Sequence, residues 1–150
     1  MRHRKVHSKL ERPSSHRRCL IANMLKALVE HGTLKTTVTK AKEVKRHADR
    51  LITLAKKNTL SSRRAAMSRL MISFNSLTSK EKKQVKQGNT SSYNSDRKLI
   101  DKLFNELSTR YVARDGGYTR IIRTEFRQGD HAPLCILEFI QIAEAQSANS

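Results

Sequence analysis

Near the start of the chain stand four residues whose types could do chemistry together: His3, His7, His16 and Cys19. Imidazole nitrogen and thiolate sulfur form a zinc-friendly ligand set. Their spacing, H-x3-H-x8-H-x2-C, matches no familiar finger, and the seven Lys and Arg among the first 18 residues disfavour a further cation there. A resident metal is therefore not expected. Catalytic constellations fare no better, for there is no Gly-rich phosphate loop, no G-x-S-x-G and no H-E-x-x-H. The 13 acids are scattered, many beside bases as in KAKEVK and RDGG, so no carboxylate cluster of the kind a metal-dependent nuclease needs can be read. Glu43 and Asp49 are expected to pair with bases on their own helix. The chain reads as a protein that is not an enzyme, with no cofactor and no small-molecule substrate.

What remains is charge. Lys and Arg number 31, and the net charge is +18 over 150 residues. A body that cationic repels itself, and a polyanion is the expected neutralising partner, nucleic acid before an anionic membrane surface. Three patches supply the cations: the N-terminal arm, which includes Lys9 and Arg12; the segment from Lys35 to Lys57; and the region from Arg110 to Arg127, which contains GGYTRIIR and Arg123. The arm, residues 1–13, is nearly devoid of apolar side chains and is expected to become ordered when laid along phosphates, whose contacts offset an ordering cost of about 1–2 kcal/mol per residue. Tyr118, beside Gly116 and Gly117, either stacks on a base or packs on the sheet. No apolar run approaches the roughly 20 residues needed to span a bilayer, and no secretory signal is expected at the N-terminus. Cys19 and Cys135 sit in apolar stretches and read as buried free thiols in a reducing cytoplasm.

The elements that must position these patches follow from periodicity. Leu20, Ile21, Met24, Leu25 and Leu28 predict a helix, with Ser14 or Ser15 as its cap and Gly32 as its stop. TLKTTVT predicts a strand. Ala41, Val44, Ala48, Leu51, Ile52 and Ala55 form one face of a second helix, whose other side is a basic stripe. Met67, Leu70, Met71 and Phe74 share a third helix. Residues 75–95 are polar and lysine-rich, with a periodicity of neither helix nor strand, and read as a mobile excursion. Leu99, Ile100, Leu103, Phe104 and Leu107 predict a further helix, YTRIIRTEFR and LCILEFIQI two strands, and residues 143–150 a frayed polar tail. No Lys or Arg follows Arg127, so the last strand reads as core or as a face turned from the polyanion. The expected fold is α+β, helix-strand-three helices-two strands, with helices on one face of a small mixed sheet and one domain over residues 14–142.

The collinear stretches MRHRK, SSHRR, KTTVTKAKEVKR, LITLAKK, KLFNEL and RDGGYTRI together resemble the bacterial ribosomal large-subunit L17 family, over roughly residues 1–72 and 96–142. The resemblance implies a structural, RNA-binding constituent of the large subunit near the nascent-chain tunnel exit, located in the cytoplasm. Its partners would be large-subunit ribosomal RNA and neighbouring large-subunit proteins, and it implies no catalysis and no cofactor. The contacts it implies are Arg2, His3, Arg4 and Lys5 of the first motif and Ser15, His16, Arg17 and Arg18 of the second. Lys35, Thr36, Thr37, Lys40, Lys42, Lys45 and Arg46 follow in the third, and Gly117, Tyr118, Thr119 and Arg120 in the last. Shorter family members pass more directly across residues 75–95. Two other classes compete: a DNA-compacting or regulatory protein, which would show a helix-turn-helix or a dimer with half-site geometry, and a metal-dependent nuclease, ranked last.

Overall fold

The computed structural model describes residues 8–74, 76–89 and 93–141. Arg2, His3, Arg4, Lys5 and His7 of the expected arm, and the tail at 143–150, lie outside the described residues. The first helix, α1 (Ser14–His31), buries Ala22, Leu25, Leu28 and Val29, with Ile21 and Met24 packed at the margin. Neither serine caps it. Pro13, with φ −54° and ψ 155°, holds the cap position without a side-chain hydrogen bond, and both serines are already helical. Burial begins only at Ala22, one turn beyond Cys19, so Cys19 is exposed where a buried thiol was expected, whereas Cys135 is buried. Gly32 ends the helix at φ 77°, a left-handed conformation that suits glycine, and its N–H returns to Leu28 O at 2.8 Å.

A strand, β1 (Thr33–Thr37), leads into α2 (Val38–Lys57). All six residues of the expected α2 face are buried, together with Val38 and Glu43. Alanine at three of those positions lets neighbours approach closely, and α2 touches α1, the next helix and all three strands. Next, α3 (Leu60–Leu70) opens on a capping box in which Ser62 N–H donates to Thr59 Oγ1 at 3.1 Å and Thr59 N–H donates to Ser62 Oγ at 2.9 Å. It ends sooner than predicted: Met71 turns left-handed at φ 52°, leaving Met71 and Phe74 exposed rather than in a common stripe with Leu70.

Residues 75–95 hold a helix where none was expected. It is α4 (Ser79–Lys86), started by a second capping box between Thr78 and Glu81. A fifth helix, α5 (Ser95–Asp101), starts at Asn94, whose Oδ1 accepts from Arg97 N–H at 2.9 Å. It runs on through a π-helical segment (Lys102–Leu107) to a last turn at Ser108–Arg110, and buries all five residues of the predicted stripe.

The chain closes with β2 (Thr119–Phe126) and β3 (Pro133–Phe139). The sheet order is β1-β3-β2, and both pairings are antiparallel, so the sheet is not mixed. The architecture is α+β, as expected. In β3 the alternation buries Cys135, Leu137 and Phe139 against the helices and turns Leu134, Ile136 and Glu138 outward. Leu34 and Ile121, opposite Leu137 on the two flanking strands, extend that inner face. Each fully buried leucine contributes about 1.5–3 kcal/mol. Among the described residues no helix is long and apolar enough to cross a membrane.

Candidate nucleic-acid interface

Basic side chains are brought together first where the chain enters α1. Leu10 and Glu11 adopt left-handed φ values of 53° and 52°, an uncommon choice for two successive non-glycine residues. The resulting turn lays Ser8–Arg12 beside Thr39 and Lys40, the first turn of α2, with an open cleft between them. Arg17 braces the turn from α1, its Nη1 donating to Lys9 O and Arg12 O, each at 3.4 Å. Arg12 Nη1 lies 3.0 Å from Nε2 of His16. From α2, the buried Glu43 carboxylate accepts the Ser8 N–H at 3.4 Å and lies 3.9 Å from Nε2 of His47. Glu43 thus serves the entering chain as well as its own helix.

Three cations, Lys9, Arg12 and Lys40, line this cleft against one acid, Glu11. Neither α1 nor α2 has a side-chain cap, and neither carries an acid in its first turn. Their N–H groups and the positive ends of their dipoles are open to an outside acceptor. Among the described residues, Lys9, Arg12, Arg17, Arg18, Lys40, Lys42, Lys45 and Arg46 form no ion pair with an acid. The pairs lie elsewhere, as in Lys26–Asp96 at 3.0 Å and Arg110–Glu106 at 2.7 Å.

The other expected contact residues divide between two environments. Lys35 is on the outward face of the sheet, opposite Ile136, in an open groove with Phe126, Arg127 and Leu134. Arg120 is on the same face and pairs with Glu138 of β3. Arg123 and Ser15 are exposed, while Thr36 and Thr37 are half-buried.

Tyr118 and Thr119 lie inside. Tyr118 is 2% exposed, with the Tyr111 ring 5.2 Å away on one side and Lys56 Nζ 5.8 Å from its centroid. A ring so enclosed has no free face for a base, and packing is the reading the structure supports. The glycine before it serves the turn: Gly117 has φ 59°, which lets the chain swing into β2. Tyr111 completes the cluster, donating to Ile140 O at 2.6 Å, and burial pushes its phenol above the ordinary tyrosine range.

Thr119 is equally hidden and donates to Asp49 Oδ1 at 3.0 Å. Asp49 therefore ties α2 to β2 instead of pairing along its own helix. Thr119→Val and Asp49→Ala are each expected to cost about 1–3 kcal/mol. The double change should cost less than the sum, as read by a urea-denaturation cycle. Strict additivity would show that the bond contributes nothing.

Two features of the cleft escape sequence reasoning. The left-handed turn at Leu10 and Glu11 has no glycine or asparagine to announce it. The open helix starts did leave a signal, since no acid occurs in the first turn of α1 or α2. His16 and Cys19 both lie on exposed α1 surface, and their companions His3 and His7 fall outside the described residues.

Fold and surface together define a class: a strongly basic α+β protein whose unpaired cations gather around uncapped helix starts. Comparison with known proteins gives the family. The profile described as ribosomal protein L17 matches residues 20–140, and the chain belongs to that family. Relatives called large ribosomal subunit protein bL17 are 55% identical in Chlamydia abortus, 56% in Protochlamydia amoebophila and 53% in Chlamydia muridarum. Each alignment covers 140 residues, 93% of this chain and 99% of the relative. The family resemblance carried by the sequence motifs is thus the family found, one of ribosomal proteins and not of enzymes.

Proposed function

We propose that the protein is a structural constituent of the large ribosomal subunit that binds its ribosomal RNA and stabilises the RNA tertiary fold. The observation that carries this reading is the cleft between Ser8–Arg12 and the first turn of α2, where Lys9, Arg12 and Lys40, cations without acidic partners among the described residues, meet the uncapped start of α2. Phosphate oxygens are the complementary ligand: they accept from free N–H groups and replace condensed counterions around Lys and Arg. Arg17, Arg18, Lys42, Lys45 and Arg46 continue the positive surface along α1 and α2. The core holds these patches at fixed spacing, so recognition follows RNA shape and not base sequence. The names of the relatives support the large subunit. Arg2, His3, Arg4 and Lys5 extend the same contact, and neighbouring large-subunit proteins share the site near the nascent-chain tunnel exit, as the family resemblance implies.

Sucrose-gradient fractionation of a cell lysate tests the proposal. Near-stoichiometric cosedimentation with the large subunit that survives about 0.5 M salt is expected, because electrostatic association alone weakens steeply with salt. Recovery at the top of the gradient, or with DNA, would overturn the reading.

A further inference from the structure

We propose that α4 is a second RNA-docking element, separate from the cleft between Ser8–Arg12 and the start of α2, which sets Lys80, Lys82, Lys83 and Lys86 against phosphates of large-subunit RNA. The inference rests on the function proposed above and names a surface which that function does not use. Three observations carry it. First, no residue of α4 is buried, and the four lysines are exposed. A helix of eight residues that buries none of its side chains is marginal in water. Second, its charge is uncompensated. Glu81, its one acid, is engaged at the helix start, where its Oε2 accepts from Thr78 N–H at 2.7 Å, and that bond holds its carboxyl below the usual carboxylate range. The lysines stand three and four residues apart, so like charges face one another along one turn and oppose the helix. A polyanion removes that opposition. Third, the base of the excursion is closed: the Arg97 guanidinium lies 4.6 Å from the Phe74 ring centroid and 5.9 Å from that of Tyr93. The clamp joins Phe74, beyond the end of α3, to Tyr93 and to Arg97 in the first turn of α5.

Charge complementarity selects the occupant. Val85 is the single apolar side chain of α4, so the helix has no apolar face to insert into a membrane or to seat in a protein groove. Closely spaced lysines without an apolar stripe match a phosphate backbone.

The test compares large subunits assembled with the native chain and with a chain in which all four lysines are replaced by Gln, a substitution that keeps helix propensity and both capping residues. Hydroxyl-radical cleavage of the RNA is mapped in both particles. At least one backbone stretch protected in the native particle is expected to be cleaved about fivefold faster in the variant, with the variant still present in the particle. Identical cleavage with the variant present overturns the role of α4 and leaves the proposed function standing. Acetic anhydride labelling supplies a second readout that needs no variant: the four lysines should react about tenfold more slowly in the native particle than in the free protein. Equal reactivity overturns the proposal. Slow labelling with unchanged RNA cleavage overturns it in favour of a protein neighbour. Absence of the native chain from the particle overturns the function proposed above, and the α4 proposal with it.

Discussion

Replacing Lys9, Arg12 and Lys40 together by Gln is expected to weaken binding to large-subunit RNA by on the order of a hundredfold at 0.1 M salt, and to lower the salt dependence of binding. The magnitude follows from counterion release. Each phosphate neutralised adds roughly 0.7–0.9 to the slope of log affinity against log salt, so three lost contacts remove about 2–3 from it. At 0.1 M salt each such contact is then worth about a factor of 5–8, which multiplied over three gives the stated loss. All three residues border the cleft at the start of α2, and none forms an ion pair with an acid among the described residues. The fold should be untouched, with an unchanged circular dichroism spectrum. Filter binding between 0.05 and 0.5 M salt gives the slope directly. An unchanged slope would remove the cleft from the interface, whatever happened to the affinity at one salt concentration.

The second large effect concerns the scaffold. Leu137 is fully buried at the centre of β3, the middle strand of the sheet, and packs against the helical layer. Leu137→Ala is expected to cost about 2–5 kcal/mol, the lost transfer energy plus a cavity between sheet and helices that rigid neighbours cannot fill. Small domains are stable by roughly 5–15 kcal/mol, so the variant would lose a large fraction of its margin. Urea denaturation in moderate salt, where the self-repulsion of the cations is screened, should show a lower midpoint with the same slope. Leu60→Ala is the control: that side chain is 65% exposed, and a change within about 0.5 kcal/mol is expected. A loss below 1 kcal/mol at Leu137 would mean that the sheet is not held by this packing.

The features legible in the sequence are those with a local periodic cause. The α2 face from Ala41 to Ala55 repeats at helical spacing, and every residue of it is buried. The β3 stretch is almost continuously apolar and reads as a buried strand, and Cys135, Leu137 and Phe139 are buried in it. Where long-range contacts decide, the sequence is ambiguous. A tyrosine beside two glycines and among arginines suits stacking as well as packing, and it is Tyr111 and Lys56, both distant in sequence or on another element, that enclose Tyr118. Asp49 among bases suggests an intrahelical pair, but Thr119 lies 70 positions away and closer in space. The helix α4 is a different kind of miss. Its start signal, Thr78 followed three residues later by Glu81, stands in the sequence, but with no apolar stripe behind it the stretch reads as loop.

The position of β3 between β1 and β2 governs how the protein can come into being. Thr33 pairs with Glu138 and Thr37 with Leu134, so β1, made early, has no strand partner until almost the whole of the described chain has been synthesised. The helical stripes of α1 and α2 can meet while translation continues, but their sheet-facing sides stay uncovered until the end. Non-local pairing of this kind slows folding. The basic cleft at the entrance to α1 is built from residues 8–40, and so emerges from the synthesising ribosome long before the sheet closes. A chain whose basic cleft is complete before its sheet closes is the order of events that this strand arrangement sets.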